Sequence, residues 1–453
     1  MSYLFALAII ALTAKLILKG YKTEPVLLLS GLVLMLASSL FGWGTILPSQ
    51  VTSTNVEWFD PFRYVQWLMS GRVAVLGLMI MSLVGFAEYM NHIGADEVIV
   101  RQAVKPLSKI NNQSILIFFA YMIGASLQLA IPSATALAVL LMVTLFPIMV
   151  GLGISRGASA AVIASTMATT FTPLGVDAIR ASQALNMELM DYLVHFQAPT
   201  SIGATIAIGL AHTFWQGVMD KKDASPKKER TIESNDAQGA LAPSCYVILP
   251  LLPIVFSVLF SPLVLANVKL DVTTIVFISM FIAMIFEGIR QKSLKSVLDG
   301  FGVFMKGMGN AFSSVVFLLV AAGVFAYGIQ CTGAIESMIE GAKQMGMPFV
   351  GLTLLFCIVV GAASVVMGSG NAAFLSFVEI VPTVASSMGA NPLSMILPIQ
   401  QISAMGRAAS PVAACVIVAA GGAKLSTIDV VKRTVVPVTL GFVVNFIAVM
   451  IFV

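Results

Sequence analysis

The 453-residue chain is 58% hydrophobic and 10% charged, with a mean hydropathy of +0.97. A soluble protein carries about 25% Asp, Glu, Lys and Arg; here 25 basic and 21 acidic residues leave a net charge of +4, and ten of the 46 crowd into 220–236. Soluble enzymes, nucleic-acid binders and secreted disulfide scaffolds are thereby excluded, and apolar blocks of about 20 residues suit a hydrocarbon core of about 30 Å, so the chain reads as an all-α polytopic membrane protein.

In chain order, Ser2–Leu18 is the first span and 25–47 the second. No basic residue occurs in the first 14, so a retained span is expected rather than a cleaved signal. Trp58, Phe59, Tyr64 and Trp67 mark a segment at the headgroup level, where aromatic rings accumulate, and Arg72 opens a third span to Met90. The stretch 95–109 mixes charges with Val98, Ile99, Val100, Val104 and Leu107, as a helix lying on the membrane surface does. Residues 114–150 form one apolar block broken at Ile131-Pro132-Ser133-Ala134-Thr135, and 156–179 one broken at Thr169 to Gly175. The span 197–215 completes the first half. Cys245, Cys331, Cys357 and Cys415 lack paired spacing and read as small core residues.

The second half repeats these letters. Ile93-Gly94-Ala95 matches Thr332-Gly333-Ala334, Pro132 to Ala136 matches Gly368 to Ala372, and Pro147 matches Pro382. Thr172-Pro173 matches Ser410-Pro411, Asp191 matches Asp429 and Pro199 matches Pro437, all at offsets of 235 to 239. An internal duplication follows: 1–219 is one repeat, 220–242 a charged cytoplasmic linker and 243–453 the other.

Orientation comes from the basic residues, which concentrate on the cytoplasmic side. Lys15, Lys19, Lys22, Arg101, Lys105, Lys109 and Arg156 then lie inside with the linker, as do Arg290, Lys292, Lys295, Lys306, Lys424, Lys432 and Arg433. Arg63, Arg72, Arg180, Lys269 and Lys343 lie outside, and Arg407 at membrane depth. Each half then has about five crossing helices, one re-entrant hairpin and one unwound helix. An odd number of crossings inverts the second repeat, a transporter architecture. Helices of about 15 residues reach only about 23 Å, which favours hairpins over full crossings for the interrupted blocks.

Four breaks, two per half, carry the chemistry. A broken helix presents unpaired N–H groups and a positive dipole end to an anion, and its freed carbonyls suit a cation. The candidate substrate residues are Ser133, Ala134, Thr135, Thr170, Thr172, Pro173, Ser369, Gly370, Asn371, Arg407, Ser410 and Pro411. The alternative at any one break is a packing kink. An arginine at the bilayer midplane is costly and functional by default. Arg407 has three readings: a bidentate contact to a substrate carboxylate, an ion pair with Glu379, or snorkelling to the cytoplasmic face. Asp177 and Arg180, three apart, read as a local pair near the outer surface, and His195 and His212 as interfacial. No metal-ligand set, P-loop or nucleophile–base spacing occurs, so neither an enzyme nor an organic cofactor is expected. The one cofactor left open is a coupling cation, proton or sodium.

Val366-Met367-Gly368-Ser369-Gly370-Asn371-Ala372-Ala373-Phe374 and Gly406-Arg407-Ala408-Ala409-Ser410-Pro411, with Val430 to Thr434 and Pro437, resemble one known family. So do Thr144-Leu145-Phe146-Pro147, Gly153-Ile154-Ser155-Arg156 and Ala211 to Gln216 ahead of Asp220-Lys221-Lys222. The chain is similar over essentially its whole length to the DcuC-type anaerobic four-carbon dicarboxylate carriers of bacteria, including the DcuD branch, within the ion-transporter superfamily. The resemblance implies opposed hairpins with tips at 132–135 and 368–371, unwound segments at 169–175 and 406–411, a dimerising scaffold and an elevator motion. It also implies succinate, fumarate and malate as substrates, by efflux, exchange or cation coupling, in a bacterial inner membrane. One departure stands out. Related sodium-dependent carriers read Ser-Asn-Thr at both tips, whereas here they read Ser133-Ala134-Thr135 and Ser369-Gly370-Asn371. The expected partners are a small dicarboxylate, the lipid bilayer and a second copy of the chain, with no nucleic acid. The rivals are a relative for gluconate or lactate, a sodium/proton antiporter and, further off, an intramembrane enzyme.

Overall fold

The computed structural model describes residues 2–19, 21–222, 242–260, 268, 270–334, 340 and 348–453. Most of the expected linker, together with Lys269 and Lys343, lies outside the described residues. Backbone in hydrocarbon must satisfy its own N–H and C=O groups, and among the described residues there is helix and no strand. The first half has α1 (Ser2–Leu18), α2 (Thr23–Phe41), α3 (Asp60–Arg72), α4 (Leu78–His92), α5 (Ala95–Val104) and α6 (Gln113–Ser126). It continues with α7 (Ala134–Gly151), α8 (Arg156–Ala164), α9 (Val176–Ala184), α10 (Leu189–Tyr192) and α11 (Ala198–Lys222). The second has α12 (Leu252–Leu259), α13 (Val272–Gln291), α14 (Leu294–Ala311), α15 (Phe317–Cys331) and α16 (Phe349–Met367). It ends with α17 (Gly370–Phe377), α18 (Val381–Ser387), α19 (Leu393–Ala408), α20 (Ala414–Ala423) and α21 (Thr427–Phe452). Among the described residues, eight stretches are long and apolar enough to cross a membrane.

Three of these are continuous rods of 33 to 38 residues, Asp60–His92, Leu189–Lys222 and Leu294–Cys331, each with one π-helical turn. The segment around Tyr64 and Trp67 is therefore part of the third span, not a separate interfacial piece, and Arg72 sits in mid-rod. The surface-helix expectation for 95–109 also changes. Val98, Ile99, Val100, Val104 and Leu107 are buried within the protein, packed toward α7 and the turn Ser244–Leu251. Apolar periodicity is the same whether lipid or protein covers the face. Cys331, Cys357 and Cys415 are buried as expected, but Cys245 is exposed.

All four expected breaks are present, but α19 continues through Gly406, Arg407 and Ala408. The second unwound segment is therefore 409–413 rather than 406–411, and Arg407 lies in the last turn of a helix. Pro411 restricts only the residues just before it. Ser133 and Ser369 each cap the next helix, accepting from Ala136 N at 3.3 Å and Ala372 N at 3.2 Å. Gly94 and Gly333, a matched pair of letters, both take positive φ (78° and 68°) after a long helix. The two halves share their cores. One cluster joins α4 and α9 to α15 through α19, and another joins α6 through α8 to α20 and α21.

Candidate functional site at four helix breaks

The break after α8 runs from 165 to 175, longer than the 169–175 that Pro173 and Gly175 suggest, because α8 ends at Ser165, whose carbonyl accepts from Ala168 N at 2.9 Å in a turn. Its hydroxyl donates to Ala161 O at 2.8 Å, closing the last turn of α8. Met167, Ala168, Thr169, Thr170 and Thr172 are buried, so every freed backbone group there needs a partner. Those partners are amide side chains. Gln401 of α19 pairs with the Thr170 peptide in both directions: Thr170 N donates to Oε1 at 3.0 Å, and Nε2 donates to Thr170 O at 2.9 Å. Gln197 Nε2 donates to the same carbonyl at 3.0 Å, and Phe171 N donates to Gln128 Oε1 at 3.3 Å. The Thr170 hydroxyl donates to Asp177 Oδ2 at 2.7 Å, which also accepts from Gln400 Nε2 at 2.9 Å. Tyr192 OH completes the chain on Gln400 Oε1.

Arg407 lies where the two unwound helices cross. Its Nη2 donates to Met167 O at 2.6 Å. Among the described residues it has no carboxylate within ion-pair distance, which overturns the Glu379 pairing. Glu379, in the turn between α17 and α18, is instead held by Arg72 at 2.6 Å and by Arg180 through Nε at 2.8 Å. Arg180 therefore does not pair with Asp177. Neither it nor Arg72 faces outer water, since both are engaged in this ion trio. His212 is likewise fully buried rather than interfacial.

The hairpin of α16 and α17 is sewn onto the second unwound helix. Ser364 Oγ donates to Ser403 O and Ser410 Oγ donates to Val365 O, both at 2.5 Å. At Gly368, where φ is +66°, a Cβ would stand 2.9 Å from the Val412 carbonyl; at Gly370 it would stand 2.7 Å from Ser403 O. Only glycine permits that approach. Asn371 is half-buried and, among the described residues, makes no hydrogen bond through its side chain.

The structure thus brings Thr170, Gly370, Arg407 and Ser410 onto contacts between the two unwound helices and the second hairpin, while Thr172 and Pro173 are buried within the first unwound segment. Ser133, Ala134 and Thr135 form the tip of the α6–α7 hairpin, where Ser133 and Thr135 are exposed. They make no hydrogen bond to the other breaks among the described residues, and that hairpin reaches the unwound segment through Gln128. Sequence reading missed Gln128, Gln197, Gln400 and Gln401. Their signal was visible, since four amide side chains inside apolar blocks must be paired. Among the described residues no three of His, Cys, Asp and Glu come together as metal ligands do.

A family model described as "C4-dicarboxylate anaerobic carrier" matches residues 1–453. The chain is 42% identical over 445 residues to "Anaerobic C4-dicarboxylate transporter DcuC" of Escherichia coli strain K12, covering 98% of this chain and 95% of that one. It is 40% identical over 438 residues to "Probable anaerobic C4-dicarboxylate transporter DcuC" of Vibrio cholerae, covering 96% and 95%. Among solved structures, MtrF of Neisseria gonorrhoeae, titled among "antimetabolite efflux pumps", shares the fold with a TM-score of 0.65 at 13% identity over 95% of both chains. The YdaH transporter of Alcanivorax borkumensis gives 0.61 at 13% identity, covering 95% of this chain and 98% of that one.

Proposed function

The chain belongs to the family of anaerobic C4-dicarboxylate carriers, and from that membership and the crossing at Arg407 we propose a multi-pass secondary transporter of succinate, fumarate and malate in a bacterial inner membrane. The observation that carries this reading is Arg407, a guanidinium at the crossing with a backbone carbonyl but no carboxylate for company. Its planar fork matches a carboxylate in bidentate geometry. Four residues before it on α19, Ser403 O is packed against Gly370 at the N-terminus of α17. One substrate carboxylate rests on the first-turn N–H groups of α17 beside Ser369 and Asn371, and the other on Arg407. Four residues of helix separate these ends by about 6 Å, so a dicarboxylate fills both and a monocarboxylate leaves the arginine unmatched.

Alternating access follows an elevator motion of the hairpins and unwound helices, in two inverted repeats, within a homodimer. The recurrence of a serine cap at Ser133 and Ser369 and of a left-handed glycine at Gly94 and Gly333, at nearly the same sequence offset, supports the repeats. Thr170 O already accepts two amide donors and offers no free lone pair to a sodium ion. Competition for labelled succinate uptake in proteoliposomes tests the substrate class. Fumarate and malate are expected to compete, and gluconate or lactate are not; the reverse pattern overturns the proposal in favour of another organic anion.

A further inference from the structure

His212 is a buried histidine in the middle of α11, and its surroundings settle which nitrogen carries the proton. Arg433 of α21 fixes the neighbouring Gln216: Nη1 donates to Oε1 at 3.1 Å, while Gln216 Nε2 donates to Arg433 O at 3.0 Å. The amide orientation is thereby set, and its Nε2 also points at His212 Nδ1 at 2.9 Å. A nitrogen facing a donor must accept, so the histidine is the neutral tautomer with its proton on Nε2. That Nε2 lies 2.8 Å from Ser165 Oγ, the residue at which α8 ends and the unwound segment begins. Ser165 cannot donate to the histidine, because its own proton goes to Ala161 O or Val162 O.

The row continues to the rim of the protein. Arg433 is paired with Asp220 at 2.7 Å, and Asp220 accepts from Ser155 at 2.7 Å. On the other side the Tyr121 ring of α6 stands 5.4 Å from the imidazole. The titratable and charged groups around His212 are therefore Tyr121, Arg433 and Asp220. Two residues beyond Ser165, Met167 O receives Arg407.

We propose that His212 is a positioning residue for substrate: through its Nε2–H it anchors Ser165, and so sets where the unwound segment presents Met167 and, with it, Arg407. This rests on the dicarboxylate reading of that segment. It assigns a role to the first half's last helix that neither hairpin nor break supplies. A histidine that only filled space would leave substrate affinity alone when replaced.

The test uses full-length protein in proteoliposomes with labelled succinate. His212→Leu is expected to raise KM about 5–20-fold, the cost of one buried hydrogen bond, with Vmax little changed. Ser165→Ala is expected to do the same, and the double variant to be no worse than either single one, as partners in one contact behave. His212→Gln, which offers both a donor and an acceptor, is expected to restore KM. Additive effects, a change in Vmax alone or no rescue by glutamine would overturn the proposal. If His212→Leu does not fold, Ser165→Ala and His212→Gln decide it. The tautomer is read without transport by nitrogen NMR of histidine-labelled protein, whose three histidines are told apart by His212→Gln. Protonation at Nδ1 overturns the positioning role even if succinate moves, whereas Nε2–H in a protein that moves no dicarboxylate overturns the substrate reading alone.

Discussion

At Arg407 the decisive feature is what is missing beside it. Arg72, Arg180, Arg290 and Arg433 each meet a carboxylate; Arg407 meets a carbonyl. Arg407→Lys keeps the charge but loses the planar fork, so succinate KM is expected to rise about tenfold, measured from initial uptake rates. A second residue belongs to stability. Asp96 is buried at the start of α5, between spans, with Oδ1 lacking a partner among the described residues. Burial first, and Glu88 second, push its carboxyl up to about 8 from an ordinary 3.8. A raised carboxyl stabilises the fold fully below about pH 3.8 and loses that contribution as pH rises through about 8. Asp96→Asn is expected to flatten thermal stability across this window and to raise the melting temperature at pH 8. A melting curve series in detergent that tracks wild type at every pH would refute it. Arg407 was legible in the sequence because no acid stood near it. Glu379 was visible too, but its partners lie 307 and 199 residues away, a distance that no local spacing encodes.

The breaks are where sequence and structure agree most closely. Pro132, Pro173, Gly368 and Pro411 each fall in or beside a real interruption, whereas Pro147, Pro398 and Pro437 lie inside continuous helices. Lengths were harder. The first unwound segment begins at Ser165, whose hydroxyl donates to a carbonyl of α8 and accepts from His212, and neither partner is visible from the letters around it. The third span reads as starting at Arg72 because Asp60, Arg63 and Gln66 make the segment before it polar, although the helix runs through them. Gly368→Ala tests the hairpin tip directly. Left-handed backbone costs about 1–2 kcal/mol for an alanine, and its Cβ meets the Val412 carbonyl, so lower stability and lost transport are expected together. Gly203→Ala is the control. It lies in α11 with open space around it, and a gain of about 0.5–1 kcal/mol is expected from helix propensity. Equal melting temperatures for the two variants would contradict this account of the tip.

For the whole molecule, the two halves are intertwined. The hairpin of α6 and α7 packs on α20, where Gly422 meets Met142, and Arg156 caps α20 through Ala423 O at 2.9 Å. In the other core, the trio of Arg72, Arg180 and Glu379 ties the third span to α9 and to the second hairpin. Glu379→Gln leaves two buried guanidinium groups without their carboxylate, and the expected destabilisation is about 3–5 kcal/mol, read from thermal unfolding in detergent. Retained stability would show that the trio is wet enough to be dispensable. The sequence carried the membrane class and the breaks. It did not carry the way the halves interleave, since that depends on which apolar faces meet protein and which meet lipid.

The central claim is that the helix breaks and Arg407, which meets a carbonyl but no carboxylate among the described residues, hold a four-carbon dicarboxylate. Succinate counterflow in proteoliposomes tests it most directly, with wild type beside Arg407→Ala. The account predicts transient accumulation of labelled succinate by wild type against preloaded unlabelled succinate, reduced at least tenfold in the variant, as losing a charge-assisted hydrogen bond of about 1.5–3 kcal/mol implies. Wild-type vesicles that accumulate no succinate, or a variant that accumulates it as well as wild type, would contradict it.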